Sequence, residues 1–306
     1  MKNLRRHNVV RAAVALLCCA LPCADLAAQE SGRQAPEAPR GQISVTFDDL
    51  PIARIYEPEE RVEMTTAILQ ALRDHGVRSA GFVTGDNIES DWDLLAAWLE
   101  EGHVLGSQTF SHQDLHTTRP EIFIEDLIRG ASVLESFLQS IGQKNRYFRY
   151  PFLHYGESAE VRDRIAALLK DNKQIIADVS VDTDDYLYNL TMEKYRFSVD
   201  TSLLGDLREE YIDHILDAVT RAEALAQMVA GRPVKHILLL HANRINARFL
   251  DEALSALEDF GYEFINFEEA IKDPVYRKQD SYFGPNGISK LERVARSNPD
   301  YVPPSY

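Results

Sequence analysis

The chain has 306 residues, of which 48 are Asp or Glu and 33 are Lys or Arg, so its formal net charge is −15 at pH 7. A surface with this excess of carboxylates repels polyanions, which argues against nucleic acid and anionic membranes as partners. All three cysteines, Cys18, Cys19 and Cys23, lie close to the N-terminus. Disulfide and thiolate chemistry is therefore not expected in the rest of the chain.

The N-terminus has the pattern of an export signal. An apolar run at 12–23 is too short to cross a bilayer as a lasting helix, and four basic residues precede it: Lys2, Arg5, Arg6 and Arg11. We predict a cleavable signal peptide over 1–28, an exported protein that is periplasmic or secreted, and no stable membrane insertion of the mature chain. A membrane anchor is the alternative. Residues 29–40, rich in Pro, Gly, Gln and Ser, predict a flexible leader.

From residue 41 onward, short β-rich runs alternate with amphipathic helical patterns, which is typical of consecutive βαβ units and a parallel sheet. Glycines follow five of the helical patterns and predict left-handed helix ends there. The predicted strands are 43–47, 79–84, 103–107, 147–149, 175–181, 236–240 and 263–266. The predicted helices are 59–75, 91–101, 120–141, 159–170, 206–229 and 247–260.

These elements favour an α/β fold: a single irregular (β/α) barrel of about seven parallel strands, with its active site at the C-terminal ends of the strands. The barrel is predicted to occupy residues 41–272. Residues 273–306 mix Pro, Gly, Tyr and Lys, and we expect this C-terminal extension to pack on the barrel. The sequence does not determine the oligomeric state.

Polar side chains gather where the predicted strands end. Taken singly, each has a structural explanation, since adjacent aspartates often cap helices and a lone histidine is often a hydrogen-bonded core residue. Taken together they converge on one rim, because parallel strands end at the same edge of a sheet. The set comprises Asp48, Asp49, Gln108, His112, Arg149, Asp182, Asp184, Asp185 and His241.

Two adjacent carboxylates with histidines suit metal-assisted hydrolysis. One aspartate and an imidazole hold a divalent ion and leave a position open for water, while the second aspartate serves as base. Arg149 can keep that base ionised and oriented. A carboxylate near His241 raises the pKa of the imidazole and keeps it protonated as an acid.

The same residues, in this order, resemble the five motifs of the polysaccharide deacetylases, carbohydrate esterase family 4, over about residues 41 to 271. The segments that carry the resemblance are 46–49 (TFDD), 106–112 (GSQTFSH), 149–152 (RYPF), 182–186 (DTDDY) and 239–241 (LLH).

The resemblance implies a role for each position. Asp48 is the catalytic base, His241 the acid that protonates the departing amine, Arg149 orients Asp48, and Asp185 tunes His241. Asp49 with two histidines holds zinc or a similar ion. The backbone N–H near Phe152 helps to stabilise the oxyanion, and Tyr186 with Leu239 receives the acetyl methyl group.

One position departs from the family pattern. Gln108 stands where the family has its first metal histidine, four residues before His112. We expect a ligand set of Asp49, His112 and Gln108 or water, with His116 as an alternative histidine, or a site that binds metal poorly. Zinc is the ion that the resemblance implies, and manganese or another harder ion is the alternative because it tolerates amide oxygen better.

The predicted function is a metal-dependent hydrolase that removes N-acetyl groups from an N-acetylated oligo- or polysaccharide. Two alternatives remain open: a catalytically weakened, glycan-binding relative, and a hydrolase of a small amide or ester on the same scaffold. We also expect the amides of Asn243 and Asn246, just after His241, to contact sugar hydroxyls.

Overall fold

The structure is a computed structural model that describes residues 39–52, 56–195 and 202–303, with the side chains of Glu89 and Ser90 left out. The predicted signal peptide and all but the last two residues of the predicted leader lie outside the described residues.

The described strands form one curled parallel sheet. Its order is β5-β4-β3-β2-β1-β7-β6, and β8 pairs with the first residues of β1. The strand pairs between β1 and its three neighbours are all parallel, as are the other pairs of the sheet. The α/β fold predicted from the sequence is confirmed. The strands are β1 (Gly41–Leu50), β2 (Ala80–Val83), β3 (Val104–Ser107), β4 (Tyr147–Phe148), β5 (Ile175–Ile176), β6 (Val181–Asp182), β7 (Lys235–His241) and β8 (Tyr262–Phe264).

Helices follow most of the strands. They are α1 (Pro58–Asp74), α2 (Trp92–Glu100), α3 (Pro120–Ser140), α4 (Ala159–Asp171), α5 (Asp185–Tyr195), α6 (Ser202–Ala230), α7 (Arg244–Asp259), α8 (Phe267–Ala270) and α9 (Lys290–Arg296). The glycines that follow α1, α2, α3, α6 and α7 all have the predicted positive φ. Among the described residues, no helix combines the length and the apolar character that a membrane crossing needs.

The predicted fifth strand, 175–181, is wrong in one respect, because the structure divides it into β5 and β6. Between them, the carbonyl of Val179 accepts a hydrogen bond from the Lys290 N–H at 2.7 Å instead of pairing within the sheet. The buried Asp178 carboxylate accepts from Arg293 Nη2 at 2.6 Å and from Tyr155 Oη at 2.7 Å. The C-terminal segment that carries α9 therefore lies at the place where β5 gives way to β6.

Helix α5 was not predicted from the sequence. Its apolar residues are not confined to one face, since Tyr186, Leu187 and Leu190 are all about half exposed. The periodic pattern that marks a packed helix is therefore absent.

The core is centred on β1 and β7. Val45, Phe47 and Ile237 are completely buried in these central strands, and the Phe47 ring packs against Trp98 of α2. A buried hydroxyl in β1 is paired: Thr46 Oγ1 donates to the Leu238 carbonyl at 2.8 Å. This rigid pair of strands carries two of the candidate site residues at its end.

Candidate active site

Asp48 and His241 occupy matching positions at the ends of neighbouring strands. The register of β1 against β7 pairs Asp48 directly with His241, and the Ala242 N–H donates to the Asp48 carbonyl at 3.1 Å. Adjacent strands lie about 4.8 Å apart, so the two side chains share one rim of the sheet. A carboxylate and an imidazole are thus held side by side by the backbone of the central strands.

The Asp48 carboxylate is held by two fixed partners. Arg149 Nη1 donates to Oδ1 at 2.9 Å, and Gln108 Nε2 donates to Oδ2 at 3.1 Å. Arg149 is completely buried: its Nε donates to the Ala177 carbonyl at 2.5 Å, and its guanidinium stacks over the Phe82 ring. Burial raises the pKa of Asp48 and outweighs the opposing charge of Arg149, which makes this carboxylate a stronger base than an exposed one.

His241 forms a close pair with a buried carboxylate. Its Nδ1 lies 2.6 Å from Asp185 Oδ1, and its backbone N–H donates to Asp185 Oδ2 at 2.9 Å. Burial lowers the pKa of His241, but the charge and hydrogen bond of Asp185 outweigh it and raise the pKa to about 10. The imidazole is therefore protonated at neutral pH, as a general acid must be.

Asn243 and Asn246 do not face the rim, so the expectation that they contact sugar hydroxyls is wrong. Their Nδ2 atoms donate to Asp185 Oδ2 at 3.0 and 2.6 Å. The Asn243 side chain also caps α7 by accepting from the Asn246 N–H, because the first N–H groups of a helix lack partners within it. Both amides hold Asp185 in place beneath His241.

Asp49 and His112 face each other across the rim. Their Oδ1 and Nε2 atoms lie 3.2 Å apart, yet Asp49 Oδ1 is buried and makes no hydrogen bond. Burial raises the pKa of Asp49, but the adjacent His112 outweighs it and holds the pKa at about 2. Tetrahedral ligands at zinc–ligand distances are separated by roughly this spacing. Both residues have positive φ, so the backbone turns sharply at each.

Gln108 lies next to this pair with its amide already engaged. Its Oε1 accepts from the Asp49 N–H at 3.1 Å while its Nε2 donates to Asp48, so the two partners fix which way the amide points. The His116 ring stacks on the His154 ring at 4.2 Å between centroids, and in the described part of the chain it forms no metal-binding cluster with Asp49 and His112. No cluster of three or more His, Cys, Asp or Glu side chains in the described part of the chain suits a metal ion. Asp49 and His112 are therefore a pair of side chains that could hold a divalent ion, with the Gln108 amide beside them already hydrogen-bonded.

Three further predicted residues surround the rim. Phe152 is 53% exposed, has φ of 55°, and packs edge-on against His112 with 4.5 Å between ring centroids. Tyr186 is 49% exposed and lies edge-on to His241 at 6.4 Å. Leu239 is buried in β7, two residues before His241. One exposed aromatic ring thus packs against His112, and another lies near His241.

Helix α3 positions the segment that carries Gln108 and His112, which sequence reasoning missed. Asp126 Oδ2 accepts from the N–H groups of Phe110 and Ser111 at 3.1 and 3.0 Å. Gly130 lets the helix approach closely, since a Cβ there would lie 2.2 Å from the Thr109 carbonyl carbon. The one sequence signal was a glycine inside an amphipathic helix, which often marks close backbone contact.

Comparison with known proteins agrees with this geometry. The family model described as polysaccharide deacetylase matches residues 35–171, which include Asp48, Asp49, Gln108, His112 and Arg149. This match covers less than half of the chain, and it confirms the resemblance of the motifs to those of the polysaccharide deacetylases. The chain is 28% identical over 147 residues to the peptidoglycan-N-acetylglucosamine deacetylase of Bacillus cereus, covering 48% of this chain and 47% of that protein. The chain thus spans about half the length of that relative.

A second relative extends over more of the chain. The chain is 27% identical over 217 residues to the peptidoglycan-N-acetylmuramic acid deacetylase PdaA of Bacillus subtilis, covering 70% of this chain and 67% of that protein. Its fold is similar to the crystal structure of BA3943, described as a CE4 family pseudoenzyme from Bacillus anthracis. That match has a TM-score of 0.53 and 18% identity, and it covers 76% of this chain and 66% of the other.

Proposed function

We propose that this protein is an exported hydrolase that removes the acetyl group from an N-acetylated glycan, using a divalent ion. The observation that carries the proposal is the register of β1 against β7, which sets Asp48 beside His241. Their partners, Arg149 and Asp185, hold the first as a basic carboxylate and the second as a protonated imidazole.

The proposed reaction is the hydrolysis of an amide. Asp48 takes a proton from the attacking water, the water oxygen bonds to the acetyl carbonyl carbon, and His241 gives its proton to the nitrogen as the C–N bond breaks. Acetate and a free amine leave. Asp185 keeps His241 charged until that step, and Arg149 keeps Asp48 aligned.

Asp49 and His112 are the residues that we propose to hold the ion, with Gln108 at its edge. When bound there, a divalent ion polarises a carbonyl oxygen and lowers the pKa of water. Because the site has two strong protein ligands instead of three, we expect it to bind the ion weakly. We also expect it to accept manganese in addition to zinc.

The substrate class follows from the surface beside the acid and base. Phe152 beside His112 and Tyr186 near His241 expose aromatic rings, which suit the apolar C–H faces of sugar rings, and the Tyr186 hydroxyl adds a polar group for their edges. The relatives named above are described as acting on N-acetylated sugars of peptidoglycan. Both observations favour a glycan over a small ester.

A second candidate is a glycan-binding protein without turnover. Both ends of the Gln108 side-chain amide form hydrogen bonds within the protein, so this amide is not free to replace an imidazole ligand at a metal. This observation favours a glycan-binding protein without turnover. The similarity of fold to a protein described as a pseudoenzyme is compatible with it. The intact Asp48–Arg149 and His241–Asp185 pairs favour the enzyme, since binding alone needs neither.

The test is acetate release from an N-acetylglucosamine tetramer and from an aryl acetate, with manganese or zinc added. We expect turnover of the tetramer that Asp48→Asn abolishes, whereas Asp217→Asn, an exposed carboxylate on α6, leaves it unchanged. Binding of the tetramer without acetate release would support the second candidate. Turnover of the aryl acetate alone would overturn the glycan assignment.

A further inference from the structure

A polar groove lies at the opposite end of the sheet from the candidate active site. Helix α3 forms one wall, and the loops that lead into β4 and β5 form the other, with a volume of about 890 Å³. Because these loops precede the two strands, the groove lies at strand N-terminal ends, whereas Asp48 and His241 lie at C-terminal ends. No residue of the groove belongs to the site described above.

Two amide side chains in the groove have unsatisfied polar atoms. Both side-chain polar atoms of Asn145 are buried, and no described residue forms a hydrogen bond with them. Gln174 is 8% exposed; its Nε2 donates to Ser107 Oγ at 3.2 Å, but its buried Oε1 has no partner among the described residues. A buried polar group without a partner costs about 1–3 kcal/mol, so a ligand whose hydroxyl groups reach these atoms would remove that cost.

Three cations rim the same groove on a chain that is strongly acidic elsewhere. Lys144, Arg146 and Lys173 are exposed there, and no ion pair joins any of them to another described residue. The carboxylate that faces the groove is Glu135, and it is occupied by the Asn145 N–H at 2.6 Å and by Gln139 Nε2 at 2.9 Å. The local charge is therefore positive, which attracts an anion.

The groove also has two apolar contact points. Ile128 on α3 and Ile175 on β5 are 44% and 49% exposed, and both line it. Apolar side chains beside amides and cations match a ligand with C–H faces, hydroxyl groups and negative charges. We propose that this groove binds a carboxylate-bearing oligosaccharide, as a second glycan site distinct from the active site.

An acidic peptide fits the groove less well. A peptide binds an exposed sheet edge through its backbone, and β5 offers an edge of only two residues, Ile175 and Ile176. The unsatisfied atoms are those of side-chain amides, which donate and accept in the way that sugar hydroxyls require.

The experiment compares two glycan tetramers of equal length by calorimetry, in the Asp48→Asn background that prevents turnover. One alternates N-acetylglucosamine with N-acetylmuramic acid and carries carboxylates; the other contains N-acetylglucosamine alone. We expect the acidic tetramer to bind more tightly at low salt. The combined variant Lys144→Gln, Arg146→Gln and Lys173→Asn should weaken its binding about tenfold while leaving the neutral tetramer unaffected. Asn is chosen at 173 because φ there is 59°.

The matched control neutralises three exposed cations elsewhere, Lys272, Arg277 and Lys278, and should not change the binding of either tetramer. Equal binding of the acidic tetramer by the groove variant and the parent would overturn the proposal. The proposal would also be overturned if the parent bound tetraglutamate more tightly than the acidic tetramer and the groove variant lost that binding. Acetate release by the groove variant with native Asp48, measured on the neutral tetramer, should match the wild type, which separates this site from the proposed catalytic one.

Discussion

Replacing Asp185 by Asn tests whether this buried carboxylate sets the protonation state of His241, the proposed general acid. The substitution conserves volume, and its oxygen can still accept from the donors now bound to Asp185 Oδ2, which include the His241 N–H. The Nδ2 group of the new asparagine then faces His241 Nδ1. Because that ring nitrogen must now accept a hydrogen bond, the neutral imidazole is favoured. The pKa of His241 should fall from about 10 to its ordinary value of about 6.5 or below, since burial alone lowers it.

The size of the effect depends on pH. An imidazole with a pKa of about 6.5 is about 3% protonated near pH 8, whereas the wild-type ring is almost fully protonated there. We therefore expect acetate release by Asp185→Asn to fall about 30-fold near pH 8 and less than about twofold near pH 6.

The assay is a pH profile of kcat/KM together with an NMR titration of the histidine rings. Asp184→Asn is the matched control, because it removes the neighbouring carboxylate at a left-handed position, φ 49°, that Asn adopts readily. A profile for Asp185→Asn that keeps its alkaline activity, or a His241 ring that still titrates near pH 10, would refute the reasoning.

Two further substitutions test the contacts that hold the candidate site in place. Arg149→Met should lower the free energy of unfolding by about 3–5 kcal/mol in urea titrations, because Asp48 stays buried without its charged partner; a loss below about 1 kcal/mol would contradict this. Gly130→Ala should cost about 1–3 kcal/mol and reduce activity, because its Cβ collides with the Thr109 carbonyl, whereas Gly205→Ala on α6 meets no atom within 4 Å and should be neutral or slightly stabilising. Equal melting temperatures for the two alanine variants would count against the close packing of α3.

The His241–Asp185 pair also makes stability depend on pH. Because the folded pKa of His241 is raised above its unfolded value, the pair stabilises the fold fully below about pH 6.5, and this contribution is lost as the pH rises towards 10. Urea midpoints for wild type and Asp185→Asn should therefore converge as the pH rises above 10. Midpoints that diverge instead would reverse the assigned sign.

The sequence predicts the strand ends well because chemistry and periodicity coincide there. Asp48 follows a buried strand and His241 ends an apolar run, and in a parallel sheet both must reach the same rim. The sequence cannot show the register between β1 and β7, which places Asp48 beside His241. Register depends on packing across the sheet and not on either strand alone.

Side-chain hydrogen bonds are the other limit of sequence reasoning. Asn243 and Asn246 sit after His241 in a position that suggests substrate contact, yet their amides turn inward to Asp185. The same holds for Gln108: its position suggests a weak ligand, but only the structure shows both ends of its amide engaged by Asp48 and the Asp49 backbone. In each case a buried carboxylate outside the local sequence decides where the amide points.

The most direct test of the central proposal is calorimetric titration of manganese and zinc into the wild type, Gln108→His and Asp49→Asn, with acetate release measured on the same preparations. We predict weak binding of one ion and measurable turnover by the wild type, both lost in Asp49→Asn. Gln108→His should bind at least about tenfold more tightly, because imidazole is the better zinc ligand. No ion binding in the wild type or in Gln108→His, or acetate release that survives Asp49→Asn, would contradict a metal-dependent deacetylase built on Asp49 and His112.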